Sequence, residues 1–314
     1  MKQINILLSG AGGPAAVNAI KSLRIAKLDV KIIAVDSNPL SAGFYLADSF
    51  RVVPSANDGM FMNEIYKIIA EEKINLIMPT SGFDIIPLSL HKSRLNEMGA
   101  ECFFSNYATV DLCDNKLSFY KRIKARFPIP EFSLHHNVGY DYPVFIKPIW
   151  GKGSRNSYLC ESATEVQHIL SRHENMLICE YLPGKEYTVD VLSDLIGRPL
   201  CAVPRERIET KAGVSYKGRV ERNKKIEDIC MLLAEYIGLL GPSCIQMKED
   251  KSGELKFIEA NPRMGGGTIM ATLAGMNIPH LILKLYNGET ISKRDLRFKD
   301  ITVMRYYEEI VLAE

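Results

Sequence analysis

An apolar run, Ile4-Asn5-Ile6-Leu7-Leu8, leads into the turn Gly10-Ala11-Gly12-Gly13-Pro14. The pattern predicts a strand over 4–8, a glycine turn, and a helix over about 15–26. A second apolar run over 30–35 ends at Asp36 and reads as a strand. Phe61, Ile65, Ile68 and Ile69 recur at helical spacing over 61–72, and 74–78 reads as a third strand. Strands alternating with helices predict a parallel sheet with right-handed crossovers, in a Rossmann-like unit over 1–108.

From residue 109 the pattern changes. Residues 111–126 read as one helix, closed by Phe127-Pro128-Ile129-Pro130. A strand over 142–148 and another over 157–160 flank Gly151-Lys152-Gly153-Ser154-Arg155-Asn156, an antiparallel hairpin whose loop could fold over a ligand. A helix follows over 163–172, and this second unit spans 109–175. The third unit, 176–314, opens with strands over 176–180, 186–192 and 200–203, then a charged loop over 204–223 and an amphipathic helix over 226–237. Strands over 243–248 and 255–260 form a hairpin around Glu249-Asp250-Lys251-Ser252-Gly253-Glu254. The alternating stretch 301–307 reads as a strand suited to a sheet edge or a partner.

Composition narrows the function classes. With 39 Lys+Arg against 37 Asp+Glu, nothing marks a nucleic-acid surface. No run of 18 apolar residues suggests a membrane span, and the N-terminal run is expected to be a strand, not a signal peptide. Seven widely spaced cysteines with no C-x-x-C pair fit reduced thiols in the cytoplasm. The oligomeric state stays open, a homo-oligomer included.

Chemistry concentrates in the last hairpin. Its outgoing strand reads Phe257-Ile258-Glu259-Ala260-Asn261-Pro262-Arg263. Glu259 and Asn261 share a face by the two-residue period, and the turn near 252 puts Gln246 opposite Glu259. Three oxygen-bearing side chains on one face suit Mg²⁺, which takes few carboxylates and completes its shell with phosphate oxygens and water. A solvated polar face would carry the same residues. Arg263, just past Pro262, can grip phosphate or carboxylate bidentately. Lys147 ends an apolar strand, where an unpaired ammonium is costly and a phosphate would answer it. Gly10–Gly13 and Asp36 invite a dinucleotide, but G-x-G-x-x-G is not matched, and tight strand-to-helix packing explains the glycines equally well.

Asp114-Asn115-Lys116, Phe145-Ile146-Lys147-Pro148, the glycine loop at 151–154, the run from Glu180 to Tyr187 (EYLPGKEY) and Glu259-Ala260-Asn261-Pro262-Arg263 stand in the order and spacing of the ATP-grasp superfamily. The chain most resembles the branch similar to the large subunit of carbamoyl phosphate synthetase, over about residues 1–290. The resemblance implies an α/β Rossmann-like pre-ATP-grasp domain followed by a two-subdomain α+β ATP-grasp fold, with ATP between the subdomains. It implies Lys116 and Lys147 on phosphates, under a loop containing Gly151, Gly153 and Ser154. Glu180 with the Tyr181-Leu182 backbone would bracket adenine, and Glu186 would hold the ribose. Gln246, Glu259 and Asn261 would ligate two Mg²⁺ ions, Mn²⁺ being an acceptable substitute, and Arg263 would stabilise the transferring phosphoryl group. Only one such unit is present, and no glutamine-hydrolysing segment accompanies it, so carbamoyl phosphate synthesis itself is not expected.

The implied reaction joins a small-molecule carboxylate to an amine through an acyl phosphate, with Lys147, Arg263 and Arg205 as catalytic candidates. Arg205 is chosen because it follows a strand end on the charged 204–223 segment, which also holds Arg207. Two alternatives are a catalytically silent ATP-binding sensor or subunit, and a nicotinamide-dependent oxidoreductase using the N-terminal turn.

Overall fold

A computed structural model describes residues 3–136 and 141–312. The first unit is a parallel five-stranded sheet of β1 (Ile4–Ser9), β2 (Val30–Asp36), β3 (Ser49–Val52), β4 (Leu76–Pro79) and β5 (Glu101–Cys102), in the order β3-β2-β1-β4-β5. Helices α1 (Pro14–Ile25), α2 (Phe61–Glu72), α3 (Ile85–Leu90) and α4 (Lys92–Glu97) accompany it. Proline opens α1, where its missing N–H costs nothing. The strand order reverses between β1 and β4, and such a point leaves a crevice at the carboxyl ends of the strands. Gly10, at the end of β1, has φ +77°, and an added Cβ would lie 2.6 Å from the Ser81 Cβ. Glycine is therefore required there to let the loops after β1 and β4 close together. β3 was not foreseen; it is an edge strand, three of whose four residues are exposed.

Helices α5 (Tyr107–Asp114) and α6 (Lys116–Ile123) replace the single helix expected over 111–126. Asn115 is extended, and its side chain accepts from the Ser118 N–H at 2.9 Å, capping a new helix. The break puts Lys116 at a helix start, with its side chain 8% exposed.

The second sheet has four strands in the order β6-β9-β7-β8: β6 (Phe132–Ser133), β7 (Val144–Pro148), β8 (Tyr158–Cys160) and β9 (Met176–Glu180). α7 (Ala163–Arg172) packs against β8, its N-terminus capped by Ser162. The strand over 176–180 was expected to open the third unit. It pairs instead with β6 and β7, so this sheet closes only at Glu180.

The third sheet is antiparallel throughout its six strands, in the order β14-β13-β10-β11-β12-β15. Its strands are β10 (Glu186–Ser193), β11 (Pro199–Lys211), β12 (Val214–Val220), β13 (Gly241–Glu249), β14 (Leu255–Asn261) and β15 (Ile301–Met304). The charged 204–223 segment is not a loop. It is the β11–β12 hairpin, turned at Ala212 and Gly213, which both have positive φ. Helix α8 (Lys224–Ile237) buries Ile226, Cys230, Leu233 and Ala234 against this sheet, between an Asn223 cap and Gly238 at φ +71°. α9 (Thr268–Ala274) and α10 (Ile278–Tyr286) pack on α1, tying the third unit to the first. β15 adds to the β12 edge, within the chain. Among the described residues no single helix is long and apolar enough to cross a membrane.

Candidate active site

A cavity of about 620 Å³ opens where the second and third sheets meet the carboxyl ends of β1, β2 and β4. The residues that the resemblance assigns to nucleotide, metal and substrate line it. Lys116, Lys147, Gly151, Gly153 and Ser154 lie on its wall, with Glu180, Tyr181, Leu182 and Glu186. So do Arg205, Gln246, Glu259, Asn261 and Arg263.

β13 and β14 pair in the expected register, with Gln246 opposite Glu259. Asn261 Nδ2 donates to Glu259 Oε1 at 2.9 Å, so the two side chains do share a face. Burial pushes the Glu259 carboxyl up, but Lys116, the Asn261 hydrogen bond, Lys147 and Arg263 together outweigh it and hold the pKa below the ordinary value. The group stays ionised. Hard oxygens on Glu259 and Asn261 fit one Mg²⁺. Among the described residues, no three His, Cys, Asp or Glu side chains gather as a metal site.

Lys147 is 4% exposed. Its Nζ donates to the Tyr120 hydroxyl at 2.8 Å and to the Ile258 carbonyl at 3.4 Å. Lys116 Nζ donates to the Gly151 carbonyl at 2.8 Å, tying it to the glycine loop. Among the described residues neither ammonium has a carboxylate in direct contact, and burial lowers the Lys147 pKa. Lys116, Lys147 and Arg263 thus share Glu259 as their near countercharge. Three cations to one carboxylate make a pocket suited to a polyanion.

Other carboxylates are already engaged. Glu180 accepts Lys256 Nζ on both oxygens, at 2.9 and 2.8 Å, and the Glu131 N–H at 3.2 Å. Its side chain is therefore turned to Lys256. Glu186 is ion-paired with Arg207. Asp36 accepts the Gly12 N–H at 2.7 Å and the Asn38 N–H at 2.9 Å, so its oxygens hold the glycine turn. That bonding weakens the dinucleotide alternative.

Arg205 sits against the floor of the cavity, 1% exposed. Its Nε and Nη2 donate to Asp190 at 2.6 and 3.1 Å, a bidentate pair. Asp190 also accepts the Thr268 hydroxyl at 3.1 Å. Gly267 lies so close that an added Cβ would be 2.1 Å from Arg205 Nη1. Sequence reasoning missed Asp190. An acid within the apolar strand Val189-Asp190-Val191 was the available signal, because a buried carboxylate requires a partner.

Asp84 stands beside the carboxyl ends of the first sheet. Burial pushes its pKa up to about 6, with the charge of Asp36 adding to the shift. The folded chain then holds a proton that the unfolded chain, near the ordinary ~3.9, has released. Stability contributed by this proton is present at low pH and is lost as pH rises from about 4 to about 6. Asp84→Asn is expected to flatten that part of a melting-temperature profile measured between pH 4 and 7; an unchanged slope would refute the assignment.

Comparisons with known proteins agree with this architecture. A family model described as "ATP-grasp in the biosynthetic pathway with Ter operon" matches residues 172–309, and "PylC-like, N-terminal domain" matches 6–103. The large chain of carbamoyl phosphate synthase from Pyrococcus furiosus is 21% identical over 88% of this chain and 28% of its own length. D-alanine–D-alanine ligase from Thermotoga sp. (strain RQ2) is 25% identical over 49% of this chain and 57% of its own. The chain therefore spans only about a quarter of the synthase and little more than half of the ligase. Biotin carboxylase from Campylobacter jejuni, solved as a β,γ-ATP complex, superposes with a TM-score of 0.72 at 16% identity, over 94% of this chain and 73% of its own. These matches, over the fold and cavity described, make the chain similar to ATP-grasp ligases, and to the branch that holds the carbamoyl phosphate synthase large chain.

Proposed function

We propose that the chain binds Mg-ATP in this cavity and uses it, in the cytoplasm, to join a small-molecule carboxylate to an amine. The observation that carries the reading is the convergence of Lys116, Lys147 and Arg263 on the Glu259/Asn261 pair, three cations around one ionised carboxylate. The bound metal supplies Lewis-acid polarisation of the phosphate oxygens. Glu259 and Asn261 would hold it, with Gln246 beside them. Lys116 and Lys147 would lie on the phosphates under the glycine loop, the 180–182 backbone on the base, and Glu186 on the ribose hydroxyls once it leaves Arg207. Arg263 and Arg205 would orient the carboxylate.

The carboxylate oxygen takes the γ-phosphoryl group, giving an acyl phosphate and ADP. The amine nitrogen then bonds the acyl carbon, phosphate leaves with the C–O electron pair, and the nitrogen loses a proton. The side chains act by position and charge, with no covalent intermediate on the protein. Seven buried free cysteines fit a reducing compartment, and the names of the matched relatives, a D-alanine–D-alanine ligase among them, support a ligase.

The test is release of ADP and phosphate across a panel of amino acids and other small carboxylates and amines. A ligase releases both only when a matching pair is present. Stabilisation by Mg-ATP without turnover for any pair would instead favour a silent sensor. Stabilisation by NADPH and not Mg-ATP would reject the reading.

A further inference from the structure

Two neutral oxygens hold the Lys147 ammonium, the Tyr120 hydroxyl on α6 and the Ile258 carbonyl on β14. An ammonium carries three N–H donors, and fixing two of them sets where the third points. Lys147 lines the cavity, so that third donor is the one a bound molecule meets.

Tyr120 owes its place to packing and not to the lysine. It is completely buried, with its ring centroid 5.3 Å from that of Phe132 and 6.0 Å from that of Phe119. Burial raises its pKa well above the ordinary value, so the hydroxyl stays neutral. Lys147 Nζ also lies 5.0 Å from the centroid of the Tyr120 ring. The same stretch of α6 carries Lys116. Positions 116 and 120 are four apart on the helix and share a face. The Lys116 backbone N–H donates to the Ile149 carbonyl at 3.0 Å, just past β7, and its ammonium to the Gly151 carbonyl. The Asn115 cap that separates α6 from α5 therefore places both ammonium groups, Lys116 directly and Lys147 through Tyr120.

We propose that Tyr120 is a positioning residue for the phosphate end of the nucleotide: its hydroxyl holds the Lys147 ammonium with one N–H presented to a phosphate oxygen before the nucleotide arrives. The inference rests on the nucleotide reading above. Without the hydroxyl, the buried ammonium loses an acceptor and is free to turn toward Glu259, whose charge acts on it. A phosphate would then have to draw it back, and that reordering weakens binding.

The experiment titrates the intact chain calorimetrically with β,γ-imido-ATP and Mg²⁺, and separately with adenosine. Tyr120→Phe keeps the ring and its contact with the ammonium and removes only the oxygen. Its affinity for the analogue is expected to fall about tenfold, the scale of a lost hydrogen bond to a charged group. Adenosine, which has no phosphate, should bind as it does to wild type. Lys147→Met should weaken the analogue more than Tyr120→Phe does. Adding Tyr120→Phe to Lys147→Met should cost nothing further, because a residue that acts through the ammonium has nothing left to act on. Unchanged or tighter analogue binding in Tyr120→Phe would overturn the inference. So would an equal loss for adenosine, which marks a damaged pocket, or a further loss in the double variant. Should Lys147→Met bind too weakly to titrate, the contrast between analogue and adenosine in Tyr120→Phe decides. No binding of the analogue to wild type would overturn the nucleotide reading, and this inference with it.

Discussion

Glu259→Gln is expected to lower ADP release about 10²–10³-fold, the range seen when a single preorganised charge-stabilising group is removed from an active site. Glutamine keeps the size and the hydrogen bond with Asn261 but removes the charge. Lys116, Lys147 and Arg263 then face one another without their shared countercharge. Like-charge repulsion falls when a polyphosphate enters, so nucleotide without metal should bind the variant at least as well as wild type. Metal affinity should fall, because Glu259 is the charged member of the proposed ligand set. The combination is diagnostic. Stabilisation by ATP with chelator should persist or grow, stabilisation by Mg²⁺ over that baseline should vanish, and turnover should collapse. Ordinary turnover in Glu259→Gln would remove the metal site from β14.

Some of this was legible in the sequence because short-range rules fix it. The β13–β14 hairpin has a well-marked turn, and a two-residue period then dictates both the shared face of Glu259 and Asn261 and the position of Gln246. Helix α2 shows its apolar stripe at 61, 65, 68 and 69, and its observed bounds are those expected. Other features depend on partners distant in the chain. β3 carries little apolar signal because it is an exposed edge. The split between α5 and α6 turns on one asparagine, which caps a helix instead of continuing it. Mixed charges made β11 and β12 look like a solvated loop, although the first half of β11 is buried beneath them. Asp190, Arg207 and their pairings could be found only when β10, β11 and β13 were set side by side.

The Asp190–Arg205 pair is where the greatest loss of stability is expected. Both side chains are nearly inaccessible, at 2% and 1% exposed, and the pair is bidentate. Asp190→Ala leaves a buried guanidinium that no pKa change can neutralise, because arginine remains charged at any working pH. Breaking such a pair by removing one partner costs about 3–5 kcal/mol. In a chain of this length that corresponds to a fall in melting temperature of roughly 5–10 °C. Arg205→Met should cost less, since the carboxyl left behind can take up a proton and keep the Thr268 bond. The double variant Asp190→Leu/Arg205→Met should recover much of the loss, because both charges then leave together. If the two single losses simply add, the pair is not the source of the stability. The double variant also separates framework from chemistry. The residues proposed to hold the nucleotide lie elsewhere in the cavity, so stabilisation by Mg-ATP should survive. Arg205 adjoins Gly267 in the turn that follows Arg263, where we propose that the carboxylate binds. Turnover should therefore fall about 10²-fold, chiefly through a weaker hold on the carboxylate substrate. Full turnover in a stable double variant would make Arg205 a part of the scaffold alone, and would leave Arg263 to orient the carboxylate.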